Sequence, residues 1–353
     1  MSRFLSQRYR DVTPYVPGEQ PQNRKFIKLN TNELPYPPSP KVQAALTGKE
    51  LSDLRLYPEP DGNLFRKALA EYYGLSMEQV YVGNGSDEVL AFAFMAFLDR
   101  VQFADITYGF YPVYSDLFKA QTKIIPLRED FSLSLEDYDR ETPIILANPN
   151  APTGLCLSQR SIAQKLEENP DRIIIVDEAY VAFGGESALP LLAQYDNLLV
   201  IGTTSKSWGL AGLRAGMAFG SPSLIADLNR IKYSFNSYNV NRLTNLLASA
   251  AIDDRSYEDE VCQKVMATRE RVSAEMEGLG FSHTNSKANF IFAKHEKLSG
   301  KVLLEKLREK GILVRHFNQE RIKEYLRISI GTDEEMDDFL QALQEILKEE
   351  VHA

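Results

Sequence analysis

The stretch GTTSKSWGLAGLRAG, residues 202–216, sets one amine among hydroxyls. Lys206 follows Thr203, Thr204 and Ser205 and precedes Ser207, and Arg214 lies further along the same stretch. No Asp or Glu falls within it, although the chain carries 49 acidic against 40 basic side chains. A partly desolvated lysine near a second cation has a lowered pKa and becomes a usable amine nucleophile. The plain alternative is a solvated surface lysine. Asp177 closes the apolar run RIIIVD, where a carboxylate is costly to bury without a partner. It either caps a helix, pairs with a lysine, or faces a protonated ring nitrogen, with Tyr180 turned toward the same ligand. GNGSDE, residues 83–88, is a glycine turn opening a helix after a strand, where free N–H groups and the helix dipole converge on an anion. Ser86 suits the N-cap there, and Asp87 and Glu88 suit the positive helix start. NPNAPTG, residues 148–154, is a proline-punctuated turn in which an Asn either shapes the loop or bonds a ligand.

These residues need elements that bring them together. QVYV, TKIIPL, PIILANP, RIIIVDEAY and NLLVIGTTSK are short apolar or β-branched runs ending in small or polar residues. Helical segments such as SQRSIAQKLEEN separate them, and GNLFRKALAEYYGL reads as a helix stopping at Gly74. Alternating buried strands and helices predict an α/β chain with a parallel sheet covered on both faces. Ligands of such sheets lie at the carboxyl ends of the strands, so Asn150, Asp177 and Lys206 are expected to converge. After Asp253 a long charged helix precedes NFIFAKH, KGILVRHF and YLRISIG, three strands of a second, smaller sheet. The last helix carries Met336, Phe339, Leu340, Leu343, Ile346 and Leu347 on one face, expected to pack on that smaller unit. Proline-dense segments near the N-terminus favour an extended arm.

Bulk properties narrow the function. The chain has 353 residues, 44% hydrophobic and 25% charged, as a two-domain soluble protein would. A net charge of −9 argues against a general nucleic-acid binder. The apolar run VLAFAFMAFL is too short to span a bilayer, and the first ten residues lack the apolar core of a secretory signal. Two cysteines, Cys156 and Cys262, make no disulfide framework, and a reduced cytoplasmic setting is expected. His283, His295, His316 and His352 have no metal-ligand spacing, so no metal is expected. The dinucleotide fingerprint lacks its third glycine, because position 88 is Glu; a nicotinamide-dependent oxidoreductase is the weaker alternative. A phosphate site, a ring-nitrogen acid, a hydroxyl donor, an amine and an arginine form the set that pyridoxal 5'-phosphate requires.

The order of the motifs carries more. TPY, KLNTNELPYPPSP, RLYPEPDG, VGNGSDEV, NPNAPTG, IVDEAY, TTSKSWGLAGLRAG, GILVR and LRISIGT follow one another through nearly the whole chain. In this order they resemble the fold-type I pyridoxal-phosphate aminotransferases, the aspartate aminotransferase superfamily. The resemblance implies a mostly parallel seven-stranded sheet covered by helices in a large domain at 46–252. It also implies a smaller α+β domain built from the arm at 1–45 and from 253–353. It implies that Lys206 bonds the cofactor covalently, that Asp177 keeps the ring nitrogen protonated, and that Tyr180 bonds the ring oxygen. Tyr108 would stack on the ring. Gly85, Ser86, Asp87, Thr203, Ser205 and Arg214 would hold the phosphate. Tyr57 would reach the neighbouring subunit's phosphate, which makes the expected partner a second copy of the chain with shared active sites. Tyr15, Arg315 and Arg327 would bind substrate. The family has an Asn directly before its Pro-Thr-Gly; here that residue is Ala151, so Asn150, or else Asn148, is expected to bond the ring oxygen. The expected reaction is amino transfer from L-histidinol phosphate to 2-oxoglutarate. An aromatic amino acid as donor, or decarboxylation of threonine phosphate, is the alternative within the family.

Overall fold

A computed structural model describes residues 2–21 and 24–351, so His352 lies outside the described residues. The N-terminal arm, extended apart from one 3₁₀ turn at Gln7–Tyr9, leads to β1 (Ile27–Leu29), then α1 (Pro40–Ala45), α2 (Gly48–Ser52) and α3 (Asn63–Tyr73). Gly74 ends α3 in the left-handed conformation, as the sequence predicts. β2 (Val80–Asn84) runs directly into α4 (Gly85–Phe97), followed by β3 (Arg100–Ala104), α5 (Phe110–Phe118), β4 (Gln121–Ile125) and β5 (Ile144–Ala147). α6 (Gln159–Glu167), β6 (Ile174–Asp177), β7 (Leu198–Thr203) and β8 (Ala215–Gly220) complete this first unit with α7 (Pro222–Phe235) and α8 (Arg242–Ile252). The chain continues through α9 (Arg255–Gly278), β9 (Phe281–His283), β10 (Phe290–His295), α10 (Gly300–Glu309), β11 (Ile312–His316), β12 (Leu326–Ser329) and α11 (Asp333–Val351).

The first sheet has seven strands in the order β2-β8-β7-β6-β5-β3-β4. Only β8 runs antiparallel to its neighbours, β2 and β7. The period-two alternation of buried strands is visible in the two cores it separates. Ile144, Leu146, Ile174, Val176, Leu198 and Val200 face α3, α6 and α8. Ile145, Ile175, Leu199 and Ile201 face α4, α5 and α7. With both faces covered, the ligand-accessible edge is the row of strand ends, where β6 stops at Asp177 and β7 at Thr203.

The second sheet, β1-β11-β12-β10-β9, joins the N-terminal segment to the C-terminal third of the chain. β1 pairs in parallel with β11, and the other neighbours are antiparallel. Its core includes Met336, Phe339, Leu340, Leu343 and Ile346 of α11, with Leu347 packed against it, so the apolar face of the last helix covers this sheet.

One backbone contact sets the relation between β2, β8 and α4. Gly216 of β8 lies against the turn where β2 becomes α4: a Cβ there would fall 2.3 Å from the Gly85 carbonyl carbon and 2.4 Å from the Ser86 nitrogen. Only glycine permits that approach, and it draws the start of α4 toward the end of β7.

Candidate active site

Lys206, Asp177, Tyr180, Tyr108, Ser86 and Arg214 line one cavity at the strand ends, together with Asp87, Thr203 and Ser205. A larger cavity of about 790 Å³ lies beside Glu178, Trp208 and Glu258, but no lysine lines it, so the chemistry does not follow size.

At one end of the site, α4 begins at Gly85 with Asn84, not Ser86, in the N-cap position. The Asn84 side chain makes no capping hydrogen bond, so the first-turn N–H groups remain open to an anion. Gly85 has φ of 78° and lies under Arg214, where a Cβ would fall 2.5 Å from Nη2. Thr203 Oγ1 bonds Ser205 Oγ at 3.0 Å, and both residues line the cavity with Arg214. The Asp87 carboxylate departs from expectation. It accepts from Arg214 Nη2 at 2.9 Å and from Tyr108 Oη at 2.8 Å. Arg214 therefore has an acidic partner from another element. Asp87 positions two donors through its carboxylate and can offer an anion only its backbone N–H, since an ionised carboxylate has no proton to donate.

Asp177 lines the same cavity. It is 5% exposed, and burial pushes its carboxyl up to about 6 against the pull of two hydrogen bonds. Those bonds come from the Ala179 N–H and from Tyr111 Oη, each at 3.1 Å. Tyr111 is a site residue that the sequence did not mark; its hydroxyl reaches Asp177 from the first turn of α5.

Lys206 Nζ lies 5.6 Å from the Tyr180 ring centroid and donates to the Thr31 carbonyl at 3.4 Å. Among the described residues it has no carboxylate partner. Three consecutive residues of the N-terminal segment reach this region. The Asn30 carbonyl accepts from Arg327 Nη2 at 3.1 Å, Thr31 accepts from Lys206, and Asn32 Nδ2 donates to Tyr180 Oη at 3.0 Å.

Arg315 and Arg327 stand opposite each other on β11 and β12. Like charges so placed repel, and neither has a carboxylate partner among the described residues. Arg315 donates to the carbonyls of Val16 and Pro17, close to Tyr15, whose ring stacks on Phe110 at 4.3 Å. The Arg327 Nε is buried without a hydrogen-bond partner, and burial pulls its guanidinium down from its ordinary value.

Gly85, Tyr15, Arg315 and Arg327 are not in the cavity's lining, and Asn150 and Tyr57 are also outside it. Asn150 does not line the cavity; its amide donates to the Ile106 carbonyl and Thr153 Oγ1 and accepts from Thr107 Oγ1. With its amide protons given to the segment after β3 and to its own loop, it has none for a ring oxygen, and Pro149 and Ala151 line the site instead. Asn148 is likewise engaged, with the backbone of Leu157. Tyr57 is 79% exposed and stacks on Tyr238 at 4.8 Å, outside its own chain's cavity. Of the described histidines, none lines the cavity.

The donor set fits a pyridoxal phosphate. The uncapped α4 start with Arg214 suits a dianionic phosphate, buried Asp177 suits a ring nitrogen, and Lys206 supplies an amine without a competing carboxylate.

The fold and this site define a class, and comparison with known proteins agrees. The family described as aminotransferase class I and II matches residues 24–343, and the chain belongs to it. It is 50% identical over 351 residues to the histidinol-phosphate aminotransferase of Clostridium botulinum (strain Hall), covering 98% of this chain and 99% of that protein. It is 51% identical over 349 residues to the histidinol-phosphate aminotransferase of Acinetobacter baylyi, with 97% of each covered. In fold it is similar to the histidinol-phosphate aminotransferase of Sinorhizobium meliloti, solved in complex with pyridoxal-5'-phosphate, with TM-score 0.81, 22% identity and 92% of each chain covered.

The raised Asp177 pKa makes a stability prediction for the ligand-free protein. The folded state holds this proton more tightly than the unfolded chain, so its contribution is full below about pH 4 and is lost as pH rises through about 6. Asp177→Asn removes that titration while keeping partners for Tyr111 and Ala179. Relative to wild type, the variant is expected to gain on the order of 3 kcal/mol between about pH 4 and 7.5 in urea denaturation. A stability difference that does not change with pH would contradict the account.

Proposed function

We propose that this chain is a pyridoxal-phosphate-dependent aminotransferase that moves an amino group from L-histidinol phosphate to 2-oxoglutarate, giving imidazole acetol phosphate and glutamate in histidine biosynthesis. The observation that carries the reading is one shared cavity: the Lys206 amine, the buried Asp177 carboxyl and Arg214, which covers Gly85 at the start of α4, all border the same space. Bound there, pyridoxal phosphate supplies an exchangeable carbonyl carbon and a ring that takes up the electron pair released at the substrate's α-carbon.

The chain's residues do the rest. Arg214, the first-turn N–H groups of α4 and the hydroxyls of Ser86, Thr203 and Ser205 hold the phosphate, with Asp87 orienting Arg214. Asp177 keeps the ring nitrogen protonated, and Tyr111 steadies its carboxylate. An ion pair with the ring offsets the desolvation that otherwise raises Asp177, so the carboxylate is ionised in the loaded enzyme. Lys206 is the base that takes the proton from the substrate's α-carbon. Tyr108 lies against the ring, and Tyr180 directs its hydroxyl to the ring oxygen. No step is assigned to Asn150.

The amino donor is read from Arg315 and Arg327. A cross-strand arginine pair without a carboxylate is the electrostatic counterpart of a dianion. Histidinol phosphate carries such a phosphate and no carboxylate, and the same pair meets a carboxylate of glutamate in the return reaction. Tyr15 adds a hydroxyl from the arm. The likeness at about 50% identity to histidinol-phosphate aminotransferases supports this donor over an aromatic amino acid or threonine phosphate.

The exposed apolar surface supports a homodimer with shared sites. Leu51, Leu54, Leu56, Tyr57 and Phe235 are 45–79% exposed. The Tyr57–Tyr238 stack links the segment before α3 to the one after α7. Large apolar side chains gathered in this way mark an interaction surface. Tyr57, free of its own cavity, is positioned to reach a partner's phosphate. The unpaired Cys156 and Cys262 accord with a cytoplasmic location.

Arg315→Ala and Arg327→Ala are each expected to lower kcat/KM for histidinol phosphate about 10- to 100-fold, the loss of one charge-assisted hydrogen-bonding group. Half-reaction rates with histidinol phosphate, phenylalanine and threonine phosphate check this. If Arg327→Ala impairs glutamate but spares histidinol phosphate, or if phenylalanine is the better donor, the substrate reading is wrong. Mixing the Tyr57→Ala and Lys206→Ala proteins tests the shared site. Random re-pairing restores one intact site in each mixed dimer, up to about a quarter of wild-type activity. Activity no higher than the mean of the two separate variants contradicts it.

A further inference from the structure

Asn32 lies in the turn between β1 and α1, buried to 1% exposure and with φ of 55°, a left-handed conformation that Asn and Asp tolerate better than most residues. Every polar group it carries is bonded. Its backbone N–H donates to Ser329 Oγ at 2.9 Å, and Ser329 Oγ donates to Asn32 Oδ1 at 2.9 Å. Asn32 Nδ2 donates to Tyr180 Oη at 3.0 Å, and its carbonyl accepts from Asn289 Nδ2 at 3.0 Å.

The direction of this chain is determined by its first member. A backbone N–H only donates, so Ser329 Oγ accepts there and has one proton to give. Both of Ser329's side-chain hydrogen bonds are with Asn32, so that proton goes to Oδ1. A flipped amide would leave the proton of Ser329, a residue 2% exposed, without an acceptor, at a cost of about 1–3 kcal/mol. Oδ1 therefore faces Ser329 and Nδ2 faces Tyr180. The Tyr180 oxygen accepts, and its own proton has to point elsewhere. Tyr180 lines the cavity, between Asn32 on one side and the space beside Lys206 on the other.

We infer that Asn32 is a positioning residue: it orients the Tyr180 hydroxyl so that its proton is offered into the cavity, to the ring oxygen of the bound cofactor. This rests on the pyridoxal-phosphate reading above and adds a control on it. Ser329 is two residues beyond Arg327 on β12, so both side chains leave the same face of that strand. The second sheet thus holds the substrate-facing arginine and the origin of the relay side by side. Lys206, Tyr108, Tyr111 and Arg327 are titratable groups that act on Tyr180, and none of them bonds Asn32.

The test reads the visible absorbance of the cofactor-loaded protein as a function of pH. A proton donated to the ring oxygen stabilises its anionic form and lowers the absorbance midpoint. Tyr180→Phe is expected to raise that midpoint by about one pH unit, the equivalent of one hydrogen bond. Asn32→Asp keeps the shape and tolerates the backbone, but its carboxylate accepts only, so the Tyr180 proton turns toward it. That variant should raise the midpoint in the same way, with Tyr180 intact. Ser329→Ala, which adds no charge, should raise it by less. In the Tyr180→Phe background each change should have less than half its effect. Unmoved midpoints in both variants while Tyr180→Phe shifts would overturn the relay, as would equal shifts with and without the tyrosine hydroxyl. If Tyr180→Phe itself moves nothing, the ring-oxygen assignment falls and the relay with it, while loading of the cofactor on Lys206 is scored separately by borohydride reduction. Should Asn32→Asp fail to fold, Ser329→Ala alone decides between the same outcomes.

Discussion

The contact of Gly216 with the backbone of Gly85 and Ser86 is the constraint on which the site depends. A side chain on β8 at this point would overlap the start of α4, so β8 carries none. The helix terminus then sits beside the end of β7, and Arg214, just before β8, lies across Gly85. Anion-binding donors and the Lys206 amine reach the same space because two backbones approach at glycines. The antiparallel course of β8 between β2 and β7 makes this possible. β8 starts at the edge where β2 and β7 stop, with Ala215 opposite Asn84 and Gly216 opposite Thr203, so the Lys206 loop ends directly at the β2–α4 turn.

Around that contact the site holds groups that are costly in a ligand-free protein. A buried carboxyl pushed up to about 6 and two facing arginines without carboxylates destabilise the fold on their own. Under the proposed function a ring cation would offset the first cost and an anionic substrate the second. The N-terminal segment serves the same end. Asn30, Thr31 and Asn32 bond Arg327, Lys206 and Tyr180 respectively, so three adjacent residues bridge the three positions to which the proposed function gives substrate, catalytic and ring-oxygen roles.

Much of this was legible in the sequence, for physical reasons. β5, β6 and β7 are continuous apolar runs because both faces of the sheet are covered, and their polar ends mark the ligand edge. Asp177 and Lys206 stand out by chemistry that contrasts with the runs before them. β8 does not stand out: AGMAFG is rich in small residues because a backbone contact excludes larger ones, which erases the strand signal. β3 hides for another reason. Its Gln102 is fully buried and bonds the backbone of Asp139 and Thr142, so a polar residue interrupts the apolar run. The strand-end rule failed at Asn150, where Ile106 and Thr107 after β3 and Thr153 of its own loop take up the amide. Ser86 has the chemistry of an N-cap, but the helix starts one residue before it, at Gly85. Tyr111 and Asn32 act through single long-range hydrogen bonds, 66 and 148 residues away in the chain, that no local pattern encodes. The roles proposed for Tyr57 and Arg315 rest on the order of motifs, not on any local pattern.

The central claim is that Lys206 is the amine on which the cofactor is carried. Incubation with pyridoxal phosphate, followed by borohydride reduction and peptide mass mapping, tests it directly. The predicted result is a visible absorption band that borohydride abolishes, with the reduced cofactor's mass fixed on the peptide containing Lys206, and neither signal in Lys206→Ala. A wild-type protein that develops no band, or a Lys206→Ala protein that retains one, would contradict it.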